Sequence, residues 1–299
     1  WREIMILRTY VRYMRQMGYH FGTRYIEQAL TRNPVIAAAI VDLFLTRNDP
    51  DNQDRAAERA ETCLSVIEQN LDKVASLDED RILRSITDLV RATLRTNFFQ
   101  PDAHGKPKTY LAIKLESGRI SDLPRPVPYR EIFVFSPRVE AVHLRGDVIA
   151  RGGIRWSDRH EDFRTEVLGL MKAQQVKNSV IVPMGAKGGF VVKNPPAEGG
   201  RKAFLEEGIA CYKIFIRGLL DITDNRKGKK VIKPKHVVSH DGDDPYLVVA
   251  ADTGTATFPD IANGLSAEYG VWLGDAFSSG GSARSDPKVL GVTALGASY

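Results

Sequence analysis

Cysteine is nearly absent from this sequence: 299 residues hold two, Cys63 and Cys211, far apart along the chain. That excludes a disulfide scaffold, and two distant thiols point to free, reduced side chains and so to the cytoplasm. Long apolar runs are missing too. The best candidate, Val35 to Leu45, is short and carries Asp42, so no membrane span is expected. No secretory signal pattern opens the chain. Charge of one sign is in little excess, with 42 Lys and Arg against 37 Asp and Glu, a net of +5. No Arg/Lys run with interleaved aromatics stands out, so no nucleic-acid partner is expected. At 43% hydrophobic and 26% charged residues, a disordered chain is excluded and a globular one expected. The first residue is Trp1 rather than Met and both ends read as helix, so the chain is expected to be an excerpt of a longer protein.

Glycine and proline are scarce in one part only. Residues 1–98 contain Gly18, Gly22, Pro34 and Pro50, and all the others follow. This divides the chain into an expected helical module, 1–98, and an α/β domain, 99–299. In the first, Ile4, Leu7, Val11 and Met14 keep the spacing of one helical face. Asn33-Pro34 reads as a cap and first-turn proline of a helix through Phe44. Arg55 to Ala75 and Leu77 to Asn97 complete the module, the last with Ile82, Ile86, Leu89 and Leu94 near one face. In the second part strands and helices alternate. Thr109–Leu115, Glu131–Phe135 and Val139–Leu144 read as strands, Arg164–Lys177 as helix. Val180–Val182 and Gly189–Lys193 read as strands around a glycine turn, and Arg201–Leu220 as a long helix weakened slightly at Gly208 and Gly218. Leu247–Ala250 reads as strand and Phe258–Tyr269 as helix. Asn225 to Lys235 is a basic loop, either solvated or a phosphate or partner contact.

Five stretches could carry chemistry. In Arg151-Gly152-Gly153-Ile154-Arg155, paired glycines let backbone approach a ligand and the arginines suit a carboxylate or phosphate, or the stretch is a plain turn. Phe163, Val167, Leu170, Gln174 and Lys177 share a helical face that starts apolar and ends with an amide and an amine. Lys177 there is a ligand for an anion or a dipole-stabilised C-terminal lysine. Lys187 stands among Gly185, Gly188 and Gly189 between apolar segments. Such an enclosed amine favours its uncharged form and can serve as a general base, or it is a hairpin lysine in water. Asp252 follows an apolar strand, where α/β proteins place chemistry, or it is a turn or N-cap aspartate. His240, Asp241, Asp243 and Asp244 fit a turn better than a metal site, and no metal is expected. Finally, Ser278-Ser-Gly-Gly-Ser282 precedes a segment with Thr293, either a cofactor edge or a flexible link.

Taken together, RGGIR at 151–155, QQVKNS at 174–179, PMGAKGG at 183–189, AADTGT at 250–255 and GGS at 280–282 resemble the catalytic core of glutamate dehydrogenases. WSDRHEDFRTEVLGLMKAQQVKN and DGDDPYLVVAAD with TATFPDIAN are similar to the large-subunit, NAD-specific class. The resemblance implies a substrate-binding domain of the amino-acid dehydrogenase type, with the nucleotide-binding Rossmann domain outside this chain. It implies NAD as cofactor, L-glutamate, 2-oxoglutarate and ammonia as ligands, and a homo-oligomer. It implies Lys187 as the base that activates water and Asp252 as the proton shuttle. Arg151, Gly152, Gly153, Gln174 and Lys177 would bind substrate, with Arg151 where the family commonly has Lys, and Ser282 and Thr293 would touch the cofactor. Two rivals stay open: a dehydrogenase for an apolar amino acid, and a non-catalytic module that binds 2-oxoglutarate or mediates assembly.

Overall fold

The computed structural model describes residues 2–177, 184–251 and 258–273. Five helices lead: α1 (Arg2–Gln16), α2 (Thr23–Arg32), α3 (Pro34–Asn48), α4 (Ala56–Leu71) and α5 (Leu77–Ala92). Helix α2 has no counterpart in the sequence reading. Pro34 opens α3, where its missing N–H costs nothing. Asn33 does not cap α3 as expected: its side-chain nitrogen donates to Ala29 O at 2.8 Å, closing the end of α2 instead. Helix α5 starts at a true cap, with Ser76 Oγ accepting from Glu79 N and Asp78, Glu79 and Asp80 in the first turn.

The chain then enters the sheet earlier than composition suggested. Thr93–Thr96 form β1, so residues 1–98 are not purely helical, and Leu94 belongs to a strand. The other strands are β2 (Leu111–Leu115), β3 (Arg130–Phe135), β4 (Val139–Arg145), β5 (Gly152–Trp156), β6 (Ala186–Val192) and β9 (Val249–Ala251), with β7 (Asn225–Lys227) and β8 (Lys230–Ile232) forming a separate hairpin in the basic loop. The main sheet has seven strands in the order β1-β2-β3-β4-β6-β5-β9. Pairing is antiparallel from β1 to β6 and parallel from β6 through β5 to β9. This is a mixed α/β fold.

Strand alternation sorts the side chains onto two faces. Ile113, Phe133, Val142, Leu144 and Val191 share one core with helices α1–α5 and with α6 (Phe163–Lys177). Ala112, Val134, Ala141, Ile154 and Phe190 face the other way, into a core with α7 (Gly200–Asp221) and α8 (Phe258–Glu268). The leading helices therefore do not form a core of their own, because their apolar faces close over the sheet. No single described helix is long and apolar enough to cross a membrane. Both cysteines are free thiols.

Candidate active site

The glycine pair is strand, not turn. Gly152 and Gly153 open β5, and both are buried, while Arg151 just before them is exposed. Ala186 N donates to Arg151 O at 3.0 Å, and Arg151 forms a parallel bridge with Gly185. A Cβ at Gly152 would lie 1.4 Å from Ala186 O, so no other residue lets β5 approach the start of β6 this closely. Arg155, the second arginine of the motif, is already engaged: its Nε lies 2.5 Å from Glu166 in the first turn of α6. Ser157 Oγ donates to the same carboxylate at 2.5 Å. Of the two arginines of this motif, Arg155 is thus held in an ion pair and Arg151 is exposed.

Lys187 also lies in a strand rather than on a glycine turn. Strand β6 begins at Ala186 and runs through Lys187, Gly188 and Gly189 without a break, between β4 and β5. The glycines serve close approach, not turning. Gly189 would bring a Cβ within 2.3 Å of Val167, so its absence lets α6 settle on the sheet. Lys187 stands opposite Leu144, and Ile154 opposite Gly188, which sets Lys187 beside Gly153. It is 3% exposed, an amine carried into the protein on the α6 side of the sheet. The sequence reading of an enclosed lysine holds for its burial, and the solvent-facing hairpin alternative does not.

Helix α6 connects β5 to β6, two parallel neighbours, so it must carry the chain back toward the start of β6. Its buried side is Phe163, Val167, Leu168 and Met171; Leu170, expected on that face, is partly exposed. Its last turn contains Gln174 and Lys177. On the other side of β5, β9 aligns Gly152 with Val249 and Ile154 with Ala251. The described strand ends at Ala251. Asp252, Ser282, Thr293 and the expected strand Val180–Val182 lie outside the described residues.

One part of the site's surroundings was read from sequence only as a turn. In His240–Asp244, Asp241 and Asp244 are held by cations from three strands. Arg95 on β1 reaches Asp241 and Asp224, Lys114 on β2 reaches Asp241 and Asp244, and Arg145 on β4 grips Asp244 with both prongs. Burial pushes the Asp244 carboxyl up, but the bonds and charges of Arg145 and Lys114 outweigh it and hold the group well below the usual carboxylate range. The available signal was a charged residue inside an apolar strand, Lys114 in LAIKL and Arg145 at the end of VEAVHLR. A second buried pair sits at the start of α6. Arg164 and Glu131 are both fully buried, joined by bonds of 2.8 and 2.6 Å, and Tyr13 OH of α1 donates to the same carboxylate at 3.0 Å.

Residues 66–299 match the family described as bacterial NAD-glutamate dehydrogenase, catalytic domain, and residues 1–50 match glutamate dehydrogenase, helical motif 3. The chain is 58% identical to the NAD-specific glutamate dehydrogenase of Pseudomonas aeruginosa, 57% to that of Halomonas elongata and 52% to that of Mycobacterium tuberculosis. Each match covers 99% of this chain but only 18, 18 and 19% of the relative, so the chain spans under a fifth of their length. A buried lysine at the head of a central strand, beside a glycine pair and below a helix ending in Gln174 and Lys177, is the setting for that kinship: the chain belongs to the bacterial NAD-glutamate dehydrogenase catalytic-domain family.

Proposed function

We propose that this chain is the substrate-binding half of an NAD-dependent glutamate dehydrogenase, of the amino-acid dehydrogenase type. The whole protein would oxidise L-glutamate to 2-oxoglutarate and ammonia. The observation that carries the reading is the burial of Lys187 next to the glycine pair of β5, at the end of the sheet to which α6 returns. The names of the relatives support glutamate and NAD.

In this reading Arg151 and Lys177, with Gln174, hold the two carboxylates of the substrate, and Gly152 and Gly153 let its backbone-like end lie against β5. Asp252 takes a proton from the substrate amine. NAD supplies the acceptor for the hydride that leaves the α-carbon. Lys187 then draws a proton from water as the water oxygen attacks the iminium carbon, Asp252 returns a proton to nitrogen, and ammonia departs as the new hydroxyl gives up its proton to solvent and becomes the keto oxygen. The first crossover of the parallel half offers no cradle for the dinucleotide itself. The β5–α6–β6 crossover opens its helix with Phe163-Arg164-Thr165 and holds Glu166 against Arg155 and Ser157, with no glycine-rich turn for a pyrophosphate. The proposed cofactor contacts, Ser282 and Thr293, lie outside the described residues. Residues 99–299 carry the substrate site and the helices of 1–98 buttress it. The two free thiols suit a cytoplasmic enzyme, and a homo-oligomer rests on the resemblance.

The test is an enzyme of the relatives' length carrying this chain, assayed for NAD reduction with L-glutamate and with L-leucine. Glutamate is turned over and leucine is not. Lys187→Met lowers kcat by about a hundredfold or more, and Lys177→Ala raises KM for glutamate while KM for NAD stays put. Preference for leucine would transfer the site to an apolar amino acid. Absence of turnover by the wild-type enzyme would leave a non-catalytic module.

A further inference from the structure

Strand β5 turns its odd-numbered positions toward α6, where Arg155 meets Glu166. Gly153 shares that parity and stands beside Lys187. Arg151 shares it too, since its bridge to Gly185 continues the same register. Two arginines thus bracket the place of the lysine, each about 7 Å from Gly153 along the strand. Gly153 puts no side chain between them. The two are held differently. Arg151 is exposed, and its guanidinium pairs with no described residue. Arg155 Nε lies 2.5 Å from Glu166 Oε1, while Glu166 Oε2 accepts from Ser157 Oγ at 2.5 Å. Ser157 is itself fixed: its amide donates to Phe190 O at 2.9 Å, and its Oγ accepts from the Arg159 amide at 3.1 Å. Both oxygens of the carboxylate are therefore engaged, one by Arg155 and one by a pinned hydroxyl.

Stability does not account for this clamp. The Arg155 side chain is 48% exposed, and an ion pair so open to water contributes little to folding. Its effect is on place. Glu166 sits in the first turn of α6, where the helix dipole favours an anion, so the carboxylate is a fixed post rather than a swinging one. A guanidinium released from it would be free to turn back along β5 toward the space over Gly153. It would then compete with Arg151 for the same substrate carboxylate, from the opposite side of Lys187.

We propose that Glu166, steadied by Ser157, is a positioning residue that decides between the two arginines: it keeps Arg155 off the substrate, so that of the pair only Arg151 meets a substrate carboxylate. This rests on the reading that Lys187 and Arg151 serve glutamate. The test uses the enzyme of the relatives' length with Glu166→Gln, Arg155→Leu and the double variant, assayed with L-glutamate and NAD. Glu166→Gln should lower kcat about tenfold or more, as a misplaced substrate does. KM for glutamate should stay level or fall, because the bound substrate gains a cation rather than losing one. Arg155→Leu alone should keep kcat within about twofold of wild type, and added to Glu166→Gln it should restore most of the lost kcat, since the competing cation is gone. A merely structural role reads otherwise: kcat of Glu166→Gln within about twofold of wild type, a KM that rises instead, or a double variant no faster than Glu166→Gln, and each overturns the proposal. An Arg155→Leu enzyme that loses activity by itself puts Arg155 on the substrate and overturns it too. If Glu166→Gln does not fold, Glu166→Asp is read in the same way, since its shorter side chain cannot span Arg155 and Ser157 together. A wild-type enzyme that does not turn over glutamate sinks the functional reading and the proposal together. Active wild type with inactive Lys187→Met and normal Glu166→Gln sinks the proposal alone.

Discussion

His143 shows what a single residue contributes when a strand carries it inward. It lies on β4 between Ile132 and Gly188, 3% exposed, with Nε2 lacking a partner among the described residues. Burial, and then the nearby Arg145, push its pKa down from 6.5 to about 3, against a smaller upward pull from Asp244. The imidazole stays neutral in the fold and takes a proton once unfolded. The unfolded chain therefore binds more protons below pH 6.5, and stability falls as pH drops from there toward 3. The slope is about 1.4 kcal/mol per pH unit. Urea unfolding at pH 7 and pH 5 should show the wild type losing about 2 kcal/mol more than His143→Leu; equal losses would mean that the imidazole is already charged in the fold. Below the ordinary aspartate range, near 3.8, Asp224 and Asp244 add to the loss, because their folded values are depressed and their contribution disappears on protonation.

Among the elements, α6 carries a fully buried ion pair at its first turn. Its first turn is fastened by Arg164 to Glu131 of β3, and its backbone at Arg164 to Gln16 Oε1 of α1. Glu131→Gln leaves the guanidinium charged in a dry site and should cost about 3–5 kcal/mol in chemical denaturation. Adding Arg164→Met should recover much of it; a double variant no more stable than the single would mean that the pair's geometry, not its charge, supports the helix. The sequence made α6, α7 and the strands β2–β4 legible, because their apolar residues repeat at the helical or the strand period. It hid β1, since Leu94 continues the spacing of Ile82, Ile86 and Leu89 from α5 into a strand. It also hid β5 and the head of β6, where glycines read as turns. In both strands the small residue lets another segment come near, Ala186 onto Gly152 and Val167 onto Gly189. Gly208 in α7 is the same case, for Trp156 lies where its Cβ would be. Lys187 was visible as chemistry, but the strand that holds it was not. The charged residues Lys114 and Arg145 in apolar strands signalled buried partners around Asp244, but the pairing was hidden because the partners are separated by up to about half of the chain, and no local spacing reports them.

At the scale of the whole molecule, the leading helices and the sheet share one core. Tyr13 meets Phe133 edge to face at 5.5 Å, Arg12 on α1 is paired with the buried Glu140 of β4, and Tyr10 OH bonds Thr93 of β1. Thermal or urea unfolding of the chain should therefore give coincident transitions by far-ultraviolet dichroism and tryptophan fluorescence. Two separated transitions would mean that residues 1–98 hold together by themselves.

The change of strand direction at β6 also orders the chain in time. Strands β2, β3 and β4 follow one another along the chain with no other strand between them, and pair as neighbours. Strand β6 must wait for α6, and β9 must reach back across α7 and the basic hairpin to align Val249 with Gly152. The entropy of closing a loop that long is lost before any contact compensates it, so distant pairings form late. The antiparallel half is thus expected to form first, as a template, and the parallel half, where Lys187 and the glycine pair meet β9, to close on it later.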